Sequence, residues 1–305
     1  MEKFIKKIIC FVAISFLLIP IIESICHLIV PKISHHNIFA KSQNLIPKID
    51  SNSIVFLGDS RLECGIKTEE ITNKSGKVIN LAMPGSNGFD IIEYMISNKI
   101  YPKTLIIGFT PNYGRYKNHN LNKLHYSTKN LIKESFKYWL KQNSFTYNKA
   151  SINLFLAGKE PYFVNHEYDN YGNVVVKENG DFNKRMELQL KMYKNWNDRF
   201  NKNEFKNYLQ KLSELVSLLD GKTNVYGIYM PTSDTILSLE NDHYNKNEIN
   251  NMFDYYMDFS DFQPNNDSSY FYDGSHLTLE YAHQFTKEIN KSIEKHERTT
   301  MYKSH

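Results

Sequence analysis

Three side chains in this sequence have the types and setting for acyl chemistry: the hydroxyl of Ser60, the imidazole of His276 and the carboxylate of Asp273. Ser60 follows Ile54-Val55-Phe56-Leu57-Gly58-Asp59, an apolar run that reads as a buried strand, a glycine turn and the mouth of a helix. A hydroxyl at such a mouth is exposed, and its own backbone N–H points outward with partial positive charge. That suits a nucleophile that attacks a carbonyl and then stabilises the oxyanion. Taken alone, Gly-Asp-Ser is equally the pattern of a plain helix N-cap at Asp59 or Ser60. Asp273 and His276 stand three residues apart in a turn before the last helix, so both side chains can reach one point. A carboxylate there accepts the imidazole Nδ1–H, fixes the tautomer and leaves Nε2 to take the Ser60 proton. An isolated Asp-x-x-His is more commonly a surface histidine. The reading therefore requires the two halves, distant along the chain, to meet over one cleft.

Other chemistries have little to carry them. His35, His36, His119, His125 and His166 lack ligand spacing on a shared helix face, so no metal is expected. The three cysteines, Cys10, Cys26 and Cys64, form no C-x-x-C pair. Cys64 reads as a small buried residue on the first helix of the soluble part. Gly85-Ser86-Asn87-Gly88 lacks the lysine and glycine spacing of a phosphate loop, and no cofactor is expected. The formal charge of +4 is not gathered into a basic block, which sets nucleic-acid binding aside.

Positioning the three side chains falls to a series of short strands and helices. Strands are expected at 54–57, 78–82, 105–109 and 225–230. Helices are expected after Ser60 to about Asn73, at 89–100, 184–199, 203–220 and 246–257, and from Thr278 to Lys295. Strands alternating with helices at this spacing argue for a parallel sheet with helices on both faces. Ligand sites in such sheets lie beyond the strands' carboxyl ends, where Ser60, Gly85 and Asn112 would fall. In the helix over 203–220, Phe205, Leu209, Leu212, Val216 and Leu219 form one apolar face. In the last helix Leu279, Ala282, Phe285 and Ile289 are expected to face the sheet.

Residues 113–183 have a looser pattern and read as an insertion over the strand ends. They hold an expected helix at 131–141, a hairpin-like stretch at 170–176, and the aromatics Tyr113, Tyr116, Tyr126, Tyr138, Trp139, Tyr162 and Tyr171. Those rings could stack on sugars or simply pack the insertion onto its domain. At the N-terminus, Lys3, Lys6 and Lys7 precede apolar runs covering residues 8–30, with Glu23 and Pro20 as interruptions. Residues 1–33 are expected to be an uncleaved transmembrane anchor, with a cleaved signal peptide as the competing reading. The N-terminal lysines favour a cytoplasmic N-terminus, leaving the remainder extracytoplasmic. Residues 34–52 read as a linker, 53–295 as the catalytic domain and 296–305 as a polar tail.

Gly58-Asp59-Ser60 after the first soluble strand, paired with Asp273-x-x-His276 before the last helix, resembles the layout of the SGNH, or GDSL, hydrolase superfamily over roughly residues 50–295. The resemblance implies a flavodoxin-like three-layer α/β/α sandwich with Ser60 as nucleophile, His276 as base and Asp273 as its partner. It also implies an oxyanion hole completed by a glycine after the second strand, matched by Gly85, and an asparagine after the third. The usual Gly-x-Asn-Asp is replaced here by Gly108-Phe109-Thr110-Pro111-Asn112. Asn112 from a shifted loop, Thr110 or a backbone N–H would then fill the role. An apolar N-terminus followed by Gly-Asp-Ser-Arg, Asn-Leu-Ala-x-Pro-Gly and Asp-Gly-Ser-His-Leu is similar to membrane-tethered SGNH proteins of the bacterial cell envelope. Among these are DltD-like D-alanine-transfer and alginate-acetylation proteins. This implies a single-pass protein of the bacterial inner membrane that removes or transfers O-acyl groups on extracytoplasmic polysaccharide. Its partners would be an acylated glycan or acyl donor and a membrane-bound O-acyltransferase. Two alternatives stand beside it: a lipid or small-ester hydrolase with the same triad, and a non-catalytic scaffold that binds glycan or a membrane partner.

Overall fold

The computed structural model describes residues 3–7, 10, 11, 14, 18, 21, 38–73, 76–111, 166–176, 181–241, 246–262 and 266–303. The chain divides into two compact units, Met1–Asn44 with Asn120–Asn165 and Leu45–His119 with His166–His305.

In the first unit the described N-terminal positions are helical, and Phe4, Ile5, Phe11, Ile14, Leu18 and Ile21 expose their side chains. Among the described residues no helix is long and apolar enough to cross a membrane. Most of residues 8–30, the expected anchor, lie outside the described residues, as do the expected helix at 131–141, Asn112 and the insertion's aromatics other than Tyr171. Tyr171 itself is exposed.

The second unit is an α/β fold. Helix α1 (Ile38–Leu45) and a 3-10 turn at Ile46–Lys48 lead into it, occupying part of the segment expected to be a linker. Then come β1 (Ile54–Leu57), α2 (Ser60–Gly65), β2 (Val78–Asn80), α3 (Phe89–Ser97) and β3 (Thr104–Phe109). A small antiparallel hairpin, β4 (His166–Tyr168) and β5 (Val174–Val176), follows. After it run α4 (Phe182–Asp198), α5 (Lys202–Leu219), β6 (Asn224–Tyr229), α6 (Asp234–Asn241), α7 (Lys246–Asn250), β7 (Tyr255–Asp258) and α8 (Leu279–Lys303).

The five long-range strands form one parallel sheet in the order β2-β1-β3-β6-β7. Register places Phe56 beside Ile106, Ile106 beside Tyr226, and Ile228 beside Met257. These residues share one face of the sheet. They pack with Leu62 and Ile66 of α2 and with Tyr281, Ala282, Phe285, Ile289 and Ile293 of α8. The opposite face carries Phe109, whose ring meets Phe205 and Tyr208 of α5, while Phe89 of α3 stacks on Tyr208 at 5.0 Å. With both faces covered, β1 and β3 are buried at every position, which is why they read as unbroken apolar runs.

Several elements differ from expectation. The helix expected at 246–257 stops at Asn250, and Tyr255-Tyr256-Met257 forms the edge strand β7 instead. Aromatics suit a pleated surface, and Asp254 binds this segment to β6 by accepting the Val225 N–H at 2.7 Å. Helix α2 is one and a half turns long rather than reaching Asn73. Helix α8 continues past Lys295 because no glycine or proline stops it, and Lys103–Glu297 and Glu294–Arg298 ion pairs brace the extension. Leu279 opens α8 on its exposed side, so the sheet-facing stripe is Tyr281, Ala282, Phe285, Ile289 and Ile293. On α5, Tyr208 and Leu215 are buried in place of Phe205 and Val216.

Candidate active site

Ser60 sits where β1 ends. Gly58 turns the chain between Leu62 and the Gly108 backbone, where an added Cβ would lie 3.1 and 3.3 Å from its neighbours. Asp59 is the N-cap of α2: its Oδ1 accepts the Arg61 N–H at 3.0 Å and its Oδ2 accepts the Thr110 hydroxyl at 2.9 Å. Capping is therefore done by Asp59, and the Ser60 hydroxyl is released for other work. Among the described residues nothing accepts a hydrogen bond from the Ser60 amide, the usual condition of the first N–H groups of a helix.

The Ser60 Oγ lies 2.7 Å from His276 Nε2, although 216 positions separate them. On the other side of the ring, His276 Nδ1 lies 2.8 Å from Asp273 Oδ2. The Asp273 Oδ1 accepts the backbone N–H groups of Ser275 and His276, each at 3.0 Å, and the Ser275 hydroxyl at 3.2 Å. Burial alone would raise the Asp273 pKa, but the imidazole's charge and these donors hold it below the usual carboxylate value. For His276, burial works to lower the pKa. The charge and hydrogen bond of Asp273, with help from Asp59, overcome this and raise it.

The turn bearing these two residues has little regular structure and is pinned from outside. Phe271 and Leu277 form a single antiparallel bridge, and the Tyr272 N–H donates to His276 O at 2.7 Å. Gly274 has φ +89, and a Cβ there would meet Met186 Sδ at 2.2 Å, so only glycine fits. Its carbonyl accepts the Ser233 N–H at 2.8 Å, which ties the turn to the start of α6. One face of α4 reaches the same turn. Arg185 Nε donates to Tyr272 O at 2.9 Å, Met186 abuts Gly274, and Gln189 Nε2 donates to Ser275 Oγ at 2.6 Å.

One turn beyond Gln189 on α4, Tyr193 meets Arg61, the residue after Ser60. The Arg61 guanidinium is buried and pairs with Glu240 of α6, and Tyr229 donates to the same carboxylate. Burial opposes the guanidinium charge, yet the facing Glu240 holds the Arg61 pKa well above its usual value. Sequence reasoning singled out neither this pair nor Gln189. Each is a polar residue made significant only by partners far along the chain.

Gly85 lies in the loop after β2 with φ +63, and among the described residues its N–H has no acceptor. That loop leans on the end of β1, with Met83 N–H donating to Gly58 O at 2.9 Å. Asn80 anchors α2 to it through Nδ2, which donates to Glu63 O at 3.1 Å. Thr110 is not placed as an oxyanion donor, because its one hydroxyl proton is committed to Asp59 and the residue is buried. Among the described residues no His, Cys, Asp and Glu cluster has the arrangement of a metal site. A surface cavity of about 600 Å³ runs along α4 past Met186, Leu190 and Lys194; neither Ser60 nor His276 lines it.

A hydroxyl, an imidazole and a carboxylate in this line can move one proton from oxygen to nitrogen and back. Compared with known proteins, the chain matches no protein-family model and no curated protein.

Proposed function

We propose that the chain is a serine-dependent esterase or O-acyltransferase of the SGNH type. The observation that carries this is the unbroken line Ser60 Oγ, His276 Nε2, His276 Nδ1 and Asp273 Oδ2 at 2.7 and 2.8 Å. The strand order, which is the flavodoxin-like 2-1-3-4-5 arrangement, and the position of Ser60 beyond the end of β1 support the finer assignment of the fold. In the reaction, Ser60 Oγ attacks the ester carbonyl carbon while its proton passes to His276 Nε2. The carbonyl C–O bond to the alcohol then breaks, and the departing oxygen takes that proton. Water or a sugar hydroxyl next gives a proton to His276 and attacks the acyl carbon; the bond from that carbon to Ser60 Oγ breaks, and Oγ takes the proton back from His276 Nε2. The amides of Ser60 and Gly85 are the donors offered to the oxyanion, with Asn112 as the third.

The substrate class is envelope polysaccharide bearing O-acyl groups, handled outside the inner membrane by a chain tethered through residues 8–30. What supports the tether is the run of exposed apolar side chains, Phe4, Phe11, Ile14, Leu18 and Ile21, beside Lys3, Lys6 and Lys7. A fluorophosphonate probe tests the reaction. The full-length chain is expected to label, and Ser60→Ala to lose labelling and about 10⁶-fold of ester turnover. Equal labelling of the two would remove the enzyme reading and leave the binding scaffold. Acetylated glycan and long-chain esters supplied in parallel separate the substrates; turnover of the lipid ester alone would reject the glycan assignment.

A further inference from the structure

We infer that Gln189 is a positioning residue for the imidazole, acting through the hydroxyl of Ser275. This rests on the acyl-transfer reading of Ser60 and His276. Ser275 is buried, and three groups surround its Oγ: Gln189 Nε2 at 2.6 Å, His276 Nδ1 at 3.1 Å and Asp273 Oδ1 at 3.2 Å. The hydroxyl has one proton to give. The Gln189 amide nitrogen carries only protons, so Ser275 Oγ must accept from it. When His276 Nε2 is free to take a proton, Nδ1 carries the ring hydrogen and cannot accept from Ser275 either. The Ser275 proton is therefore directed at Asp273 Oδ1.

That assignment fixes the roles of both carboxylate oxygens. The ring Nδ1 lies 2.8 Å from Oδ2 and 3.0 Å from Oδ1; Oδ1 already takes two backbone N–H groups and the Ser275 hydroxyl, so Oδ2 is the nearer and less occupied acceptor for the Nδ1–H. Without the Gln189 donor, the Ser275 hydroxyl can turn and accept the Nδ1–H itself, competing with Asp273 for the ring. The imidazole then loses the single orientation that aims Nε2 at Ser60. Gln189 is buried on the α4 face that also carries Arg185 and Met186 against this turn, so its amide is held in register with Ser275.

The test uses the full-length chain and two substitutions, Gln189→Met, which keeps length without a donor, and Ser275→Ala, which removes the relay. Q189M is expected to slow fluorophosphonate labelling and lower kcat for an ester by about 10- to 100-fold, with KM little changed. Introduced into Ser275→Ala, Q189M is expected to add less than about twofold, because both act on one relay. Q189M within about twofold of the parent, or a full extra loss in the Ser275→Ala background, overturns the inference. If Q189M does not fold, Ser275→Ala alone decides: folded protein that labels at the parental rate overturns it. A parental chain that does not label at all sinks the acyl-transfer reading, whereas a labelled parent matched by Q189M sinks only the role of Gln189.

Discussion

The two ends of the candidate site are built in opposite ways. At the Ser60 end, position comes from regular structure: β1 is an interior strand held between β2 and β3, Asp59 caps α2, and the buried Arg61–Glu240 pair clamps the first turn. At the His276 end, position comes from individual hydrogen bonds that α4, Ser233 and the turn's own backbone supply. The difference follows the chemistry expected of each. A nucleophile must stand still where an ester can approach it. The base must hold one ring orientation while its charge changes, and this depends on which donors and acceptors face it. Damage to the groups that support Ser60 should therefore appear chiefly as lost stability, and damage to those that support His276 chiefly as lost rate.

The largest expected effect that separates the ends is on rate. Asp273→Asn keeps the shape of the side chain but replaces an acceptor by a donor opposite His276 Nδ1. The ring then adopts the tautomer with its hydrogen on Nε2, which cannot take the Ser60 proton. A fall of about 10⁴-fold in kcat is expected, with little change in melting temperature. Labelling that stays within about tenfold of the parent would break the comparison at its catalytic end.

Next comes stability. Arg61→Met leaves the Glu240 carboxylate buried without its cation, for which a loss of about 3–5 kcal/mol is expected in denaturant unfolding. Adding Glu240→Leu should recover much of that loss, because a well-packed apolar pair avoids burying charge altogether. The folded fraction of Arg61→Met should still label faster than Asp273→Asn. A loss below about 1 kcal/mol would mean that the pair does not clamp the first turn, and that the Ser60 end relies on the sheet alone.

The same contrast explains what could be read from the sequence. The strands β1, β3 and β6 were legible because both faces are covered and, apart from Asn224 at the start of β6, every residue is buried. Gly58-Asp59-Ser60 was legible because its geometry is local. Asp273 and His276 could be named as a pair, since three residues in a turn suffice to bring them together. What they required from elsewhere could not be read. Nothing in the pattern of α4 distinguishes Gln189 from an exposed glutamine, because only the fold brings Ser275 to it. Arg61 and Glu240, 179 positions apart, look like two surface charges until α2 and α6 meet. The strand β7 was hidden by Tyr255-Tyr256-Met257, too short a run to show a period and close enough to Lys246–Asn250 to read as one helix. Thr110 was a candidate donor by its place after β3, and only its bond to Asp59 removes it.

The smallest expected effect concerns pH, and it sets activity against stability within one pair of residues. Folding raises the His276 pKa above the usual value of about 6.5 and lowers that of Asp273. In the proposed reaction His276 acts as general base and must be neutral. Ester kcat/KM should therefore rise with pH and reach half its plateau above about 6.5. Stability runs the other way over that window. A raised folded pKa means that the protonated ring binds its carboxylate more tightly in the folded chain. The contribution is full below about 6.5 and lost as pH rises through the folded value. The lowered Asp273 pKa gives a second edge: its share is present above about 3.9 and lost as pH falls through the lower folded value. Since one ion pair produces both shifts, they describe one interaction and do not add. Melting temperature and kcat/KM measured across about pH 5 to 9 should thus cross, one falling where the other climbs. In Asp273→Asn the fall in melting temperature should vanish. A parental activity limb centred below about 6.5 would show that burial outweighs the carboxylate at His276, and would leave the turn's hydrogen bonds as scaffolding without influence on the base.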